Sequence, residues 1–447
     1  MMPTRPNRQL SLLTRVGIGL VAAVYLLQVF SPLRLNHDAV RLLSMAVNAH
    51  ETGSYLVDGK VEQYPPGYPY LVKLLLDAGL GSTTWLNLMN LVWLGVGGWG
   101  WYWIGRRQAH LPAWLAGLAV LLPLLSWVCI KHAVIPLTDF PYLGVSTLAL
   151  LFAQRYWSTT DRLAWRDLTM ALILSVAAMQ VRTIGIALLA AVGAAVLCHP
   201  LTVKQVPPRL RPGRRILLAT GIPLVLLLLV AALTGWIRPS NSSSYLFSVL
   251  TFLKGEAEIS PWQVLLWRLT ELTSIFANYP LPANRGLVIA LPGLIVAAGL
   301  LYAARAGWNT FRPCLFYLGF YVGILALWPF TDPRFFLPVL PLISLLFVST
   351  IGRFIAESPA RLGLGAAYLG LYAMLGLAAL GYSTRLSLSG ENFARLYGLP
   401  DAQATYAHAF GLSPAPDSPP PHASWLKLLQ RFEPRTKTAA LPAPDHP

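Results

Sequence analysis

Charge is what this sequence lacks. Asp, Glu, Lys and Arg make up 12% of its 447 residues, 18 of them acidic, against 55% hydrophobic residues and a mean hydropathy of +0.55. So few charges cannot clothe a soluble globule of that size, whose surface would hold most of them. Cysteine is scarce too. Cys129, Cys198 and Cys314 fall singly in separate apolar stretches with no C-x-x-C spacing, which excludes a disulfide framework and a thiolate metal site. No internal repeat marks a solenoid. Nor do two matching halves with paired broken helices appear, as many transporters have.

What the chain has is a series of apolar stretches near the roughly 20 residues that cross a bilayer. They lie at residues 13–32, 83–105, 112–130, 136–154, 167–181, 184–198, 215–236, 287–304, 313–330, 335–352 and 362–382. The expectation is an all-α polytopic membrane protein of about eleven crossings. The first stretch follows Arg5, Arg8 and Arg15 but no small-residue cleavage pattern follows it, so it reads as a retained helix and not a signal peptide. With the N-terminus cytoplasmic, a formal +14 falls on the inner side and +2 on the outer side of the total of +16. That asymmetry obeys the positive-inside rule. The basic balance is a topology signal, and nucleic acid loses its support as a partner.

Three long segments lie outside the stretches, all extracytoplasmic in this topology: 33–82, 237–286, and a proline-rich tail, 383–447, beyond a membrane unit of 1–382. The tail reads as a partly ordered appendage. In the second loop, Val264, Leu265, Trp267, Leu269, Leu272 and Ile275 suggest a helix lying along the interface. The Gly95, Gly97, Gly100 spacing matches a dinucleotide motif, but inside an apolar span with no preceding strand it marks close helix packing. Asn241 begins a formal glycosylation sequon.

The first loop, from Arg34 to Tyr70, is the long polar segment of the first half. Asp38 opens an amphipathic helix with Val40, Leu42, Leu43, Ala46, Val47 and Ala49 on one face, flanked by His37 and Ala39. As structure it would cap that helix; as chemistry it would be a general base beside the membrane. The two roles are compatible. YPPGYPY then sets Tyr64 and Tyr68 on a stiff backbone with a sharp turn at Gly67, either to contact substrate or to re-enter the membrane, and residues 71–80 read as a half-buried helix. Asp139 would lie at the same face as Asp38, as a helix cap or as a second carboxylate that binds a divalent metal or positions an acceptor. Lys131 and His132 just upstream are interfacial and, with His37, candidates to bind substrate, or simply snorkel. Arg182, between two short spans, and Arg334, after an outer turn, would share that face too. Two arginines there suit a phosphate through paired N–H donors, although Arg334 could instead pair locally with Asp332.

Taken in order, HDAVRLLSMAVNAHETGSY, YPPGYPYLVKLL, LTDFPYLG, VRTIGIALL and DPRFFLPVLPLI resemble the GT-C membrane glycosyltransferases over about residues 10–380, specifically bacterial members similar to protein O-mannosyltransferases and the lipid A aminoarabinose transferase. The resemblance implies a GT-C-like helical bundle in a bacterial inner membrane. It implies a polyprenyl-phosphate sugar donor and an extracytoplasmic acceptor that is a lipid, glycan or protein. Asp38 would then be the base, Asp139 the second acidic residue, and Arg334, with Arg182, the partner of the donor phosphate. The family often has an acidic pair in the first loop, which leaves a divalent metal open here. A transporter or flippase of an amphiphile is the competing class, but it would want charges near the bilayer midplane. Here the charges gather at one face. Asp38→Asn is expected to leave the protein folded and to lower sugar transfer in proteoliposomes about 10²-fold, the scale of a lost general base; unchanged turnover would remove Asp38 from that role.

Overall fold

In the computed structural model, the described residues are 8–60, 62–158, 164–198, 251–252, 254–255, 259–282, 286–355, 358–397, 400–412 and 419–436. They form an all-α fold. The expected span 215–236 and the Asn241 sequon lie outside them. The helices are α1 (Arg8–Leu27), α2 (His37–Thr52), α3 (Gly67–Asp77), α4 (Thr83–Trp103), α5 (Ala113–Leu124), α6 (Trp127–His132), α7 (Asp139–Ser158), α8 (Ala164–Val181), α9 (Ile186–Cys198), α10 (Pro261–Phe276), α11 (Leu287–Gly307), α12 (Arg312–Ala326), α13 (Leu340–Ile355), α14 (Pro359–Ser387), α15 (Pro400–Ala409) and α16 (Ala423–Phe432). Among the described residues, four helical stretches are long and apolar enough to cross a membrane: Arg8–Phe30, Leu287–Gly307, Pro333–Thr350 and Pro359–Ser387.

The expected span 112–130 is not one helix. It breaks after Leu124 and restarts as α6, and Asn278, just beyond α10, satisfies the break. Its Oδ1 accepts from the Trp127 backbone at 2.8 Å and its Nδ2 donates to the Leu125 carbonyl at 3.0 Å. Backbone polar groups freed inside a membrane need such partners. α4 packs along α7. There Gly97 and Gly100 admit Leu143 and Thr147, whose side chains lie 2.8 and 2.6 Å from where a Cβ would stand. Gly95 faces open space and takes no part. Two asparagines one turn apart on α4 hold the chain entering α2 and α7. Asn87 donates to the carbonyls of Val29 and Ser31, before α2, and Asn90 to those of Ala133 and Ile135, before α7.

A second hydrophobic core sits on the long loops and the tail. The buried face of α2 packs with Tyr68 and Val72 of α3 and with Tyr406, Phe410, Trp425, Leu429 and Phe432 from the tail. The tail is therefore no appendage where it is described. Its aromatic residues recur at helical spacing in α15 and α16, and they cover the chain between α1 and α2. Tyr406 accepts from the Leu35 amide at 2.9 Å and donates to the Leu33 carbonyl at 2.6 Å, while Glu433 accepts from the Leu33 amide at 3.0 Å. Buried between them, Arg34 donates to Ser31, Ser383 and Ser387. Asp38 follows four residues later.

The helix expected along the interface in the second loop also differs from expectation. α10 starts with a capping box between Ser260 and Gln263, and Trp262 is exposed, as an interfacial helix requires. Its inward face, however, carries Arg268 and Glu271, both buried, while Leu265 is exposed. Phe432→Ala in α16 is expected to cost about 3–5 kcal/mol, the scale for an aromatic side chain removed from a filled core. Thermal melting of the purified protein would read it as a lower Tm.

Candidate active site

Asp38 lies in the first turn of α2 but does not cap it. Asn36 is the cap, extended at φ −134°, with its side chain accepting from the Ala39 amide at 2.8 Å. The Asp38 carboxylate is left to side chains. Tyr64 donates to Oδ1 at 2.5 Å, and Arg334 meets Oδ2 through Nη2. Arg334 also has its Nε 2.8 Å from Asp332, an ion pair without hydrogen-bond alignment. The local pairing with Asp332 and the distant one with Asp38 thus coexist. Asp332 itself caps the Pro333–Val339 turn, accepting from the Arg334 amide at 2.9 Å.

Opposite this group, Asp139 opens α7 and is buried at 1% exposure. Its Oδ1 meets Nη1 of Arg182, which stands in extended backbone between α8 and a short 3₁₀ turn. Its Oδ2 is buried with no hydrogen-bond partner among the described residues. The Phe335 ring is close to both arginines: the guanidinium carbons of Arg182 and Arg334 are each 5.7 Å from its centroid. Such contacts over a ring face are attractive.

These residues line one cavity of about 400 Å³, and it brings together Asp38, Tyr64, Asp139, Arg182 and Arg334. Part of the wall is apolar, with Ile184, Ile186, Ile324, Leu325, Trp328 and Phe330. Sequence reasoning missed Asp332, Thr331 and Gln63, which line it as well. The signal for Asp332 was its place two residues before Arg334, where it was weighed only as that arginine's partner.

Four expected site residues do not line the cavity. Tyr68 is buried in the second core, its hydroxyl without a hydrogen-bond partner among the described residues. Gly67 explains why: it starts α3 instead of making a sharp turn, and a Cβ there would stand 2.4 Å from the Gln180 carbonyl oxygen. The close approach of α3 to the end of α8 turns Tyr68 inward. His37 is exposed and lies edge-on to Trp425 at 5.9 Å between centroids. Lys131 is exposed, its ammonium 5.9 Å from the Trp127 ring centroid. His132 is buried and donates from Nδ1 to the Val128 carbonyl at 2.8 Å, a bond within its own helix.

The donor set does not suit a divalent metal. Asp38 and Asp139 each face a guanidinium, and among the described residues no three His, Cys, Asp or Glu side chains gather as ligands. What the set can do is exchange partners. A bound anion can compete with either carboxylate for its arginine, and a released carboxylate can accept a proton.

No protein-family model matches the chain, and neither does any curated protein sequence. Its fold is similar to those of two solved membrane proteins. ArnT, the aminoarabinose transferase, from Cupriavidus metallidurans bound to undecaprenyl phosphate is similar at a TM-score of 0.53 and 16% identity, over 93% of this chain and 84% of that one. The archaeal oligosaccharyltransferase AglB from Archaeoglobus fulgidus, in complex with an inhibitory peptide and a dolichol-phosphate, is similar at a TM-score of 0.51 and 13% identity. That match covers 95% of this chain but 64% of AglB, so the chain spans less than two thirds of that enzyme.

Burial pushes the Asp38 carboxyl up, but the Arg334 guanidinium and the Tyr64 hydroxyl outweigh it and hold it below its ordinary value of 3.8. A carboxyl lowered on folding contributes stability that is present above its unfolded value and lost as pH falls through the folded one. Tyr64→Phe removes a hydrogen bond to the ionised form, which raises the folded value. The acid loss of stability is then expected to be smaller and to finish at higher pH than in the wild type. Melting temperature against pH for the two proteins checks this.

Proposed function

We propose that this protein is a membrane glycosyltransferase that moves a sugar from a polyprenyl-phosphate donor to an acceptor hydroxyl or amine on the extracytoplasmic side. The observation that carries the reading is the convergence of Asp38, Asp139, Arg182 and Arg334, from four distant parts of the chain, on one cavity with an apolar flank. Arginines suit the phosphate, and the apolar wall suits the first part of the isoprenoid. The lipid phosphates bound to ArnT and AglB support the same donor class. The excess of basic residues on one side supports a cytoplasmic N-terminus, and the resemblance to bacterial members supports a bacterial inner membrane.

In this mechanism the donor phosphate takes Arg334 from Asp38, and Tyr64 keeps the freed carboxylate in place. Asp38 then accepts the acceptor's proton as that oxygen or nitrogen attacks the anomeric carbon. The bond from that carbon to the phosphate oxygen breaks, and the oxygen keeps the electron pair. Arg334 and Arg182 stabilise the charge that develops there. A single displacement inverts the anomeric centre. While paired with Arg334, Asp38 is a weak base, so donor binding precedes its activation. Asp139 holds Arg182 from behind. No step uses a metal.

Proteoliposomes given labelled polyprenyl-phosphate sugars and envelope acceptors test the reading. The wild type is expected to join label to an acceptor. Arg334→Ala is expected to raise the donor KM about 10- to 100-fold, the scale of a lost hydrogen bond to a charged group, and Arg334→Lys to recover little of it, lacking the planar fork. Label that crosses the bilayer without joining an acceptor, equally in all variants, would instead make the protein a transporter or flippase.

A further inference from the structure

The cavity wall at residues 328–335 is a turn followed by a 3₁₀ segment, and α10 of the second outer loop grips it from behind. Arg268 and Glu271, one turn apart on α10, form a buried ion pair at 2.6 Å, and neither lines the cavity. Arg268 Nη2 donates to the Trp328 carbonyl at 3.3 Å and to that of Phe330. Glu271 Oε1 accepts from the Thr331 hydroxyl at 2.9 Å, and the Asp332 backbone amide also bonds to this carboxylate. The Arg268 guanidinium lies 5.8 Å from the centroid of Phe335, the ring that Arg182 and Arg334 both approach. Four residues of the turn and one ring beyond it are thus held from one helix.

A buried ion pair contributes little net stability, because desolvation offsets its attraction. What this one supplies is direction. An aliphatic pair in the same space would fill it equally well but could not satisfy the Trp328 and Phe330 carbonyls or orient Thr331. The residues so held are the ones that fix Arg334: Asp332 caps its amide and pairs with its Nε, and Phe335 underlies its guanidinium.

We propose that Arg268 and Glu271 are positioning residues for the donor phosphate, setting the 328–332 turn so that Arg334 and Arg182 present their guanidiniums to one anion. This rests on the donor reading above. Two readouts on the full-length purified protein test it: hydrogen exchange of the amides in 327–335, and binding of undecaprenyl phosphate in detergent. In Arg268→Ala the exchange is expected to speed up in 327–335 and stay unchanged in α2 and α7, while undecaprenyl phosphate binds about tenfold more weakly, the scale of coupling through a second layer of residues. Arg268→Lys, which keeps the charge and can reach one carbonyl, is expected to recover part of both.

Thr331→Val removes only the hydroxyl that Glu271 holds and is expected to give a smaller change of the same pattern, which keeps the test alive if Arg268→Ala does not fold. Unchanged exchange in 327–335, or loss of binding with exchange raised equally throughout the protein, would overturn the proposal. A wild type that binds no undecaprenyl phosphate would overturn the donor reading, and the exchange readout would still decide whether α10 holds the turn.

Discussion

The ion pair between Asp38 and Arg334 joins residues 296 apart in sequence, and the face of the protein that carries it is built to hold its two ends. One end stands on α2, whose entry is fixed by the tail through Tyr406 and Glu433 and by α4 through Asn87. The other end stands on the Pro333–Val339 turn, capped by Asp332 and gripped by α10. A charge at a membrane boundary is costly unless paired. Each of the two arginines in the cavity is paired for that reason, Arg182 with Asp139 and Arg334 with Asp38 and Asp332.

The charges around the cavity are nearly balanced. Asp38, Asp139 and Asp332 face Arg182 and Arg334, so the walls carry no surplus positive charge with which to capture an anion from a distance. On the proposed reading, recognition of a phosphate comes from geometry: two guanidiniums near one phenyl ring, in a partly apolar hollow where a charge-assisted hydrogen bond is strong. In the proposed mechanism the same balance couples binding to chemistry, since the anion that takes Arg334 also unmasks Asp38. Small displacements of the turn carrying Arg334 would disturb both.

Much of the membrane architecture was legible along the chain. The apolar stretches within the described residues fall on helices, and the amphipathic face of α2 is the face that is buried. Where the reading departed, a contact from elsewhere in the chain was responsible in all but one case. The helix predicted over 112–130 breaks because Asn278 can satisfy the broken backbone. Asp38 does not cap α2 because Asn36, two residues earlier, takes that place. Tyr68 turns inward because α3 lies against the end of α8 at Gly67. The tail, polar and proline-rich by composition, orders where α15 and α16 find an apolar partner in α2.

Hydropathy, charge asymmetry and helix periodicity are sums over neighbours in sequence, and these the sequence determined by itself: a helical membrane protein with its polar chemistry at one face. It also marked Asp38, Asp139, Arg182 and Arg334, because a charged residue at the edge of an apolar stretch is conspicuous wherever the chain later folds. Which carboxylate meets which arginine, that Phe335 lies beneath both guanidiniums, and that Lys131, His132, His37 and Tyr68 stand outside the cavity lining were decided only by the tertiary structure. Those outcomes depend on distances between segments far apart in sequence, and such distances exist only once the helices have packed.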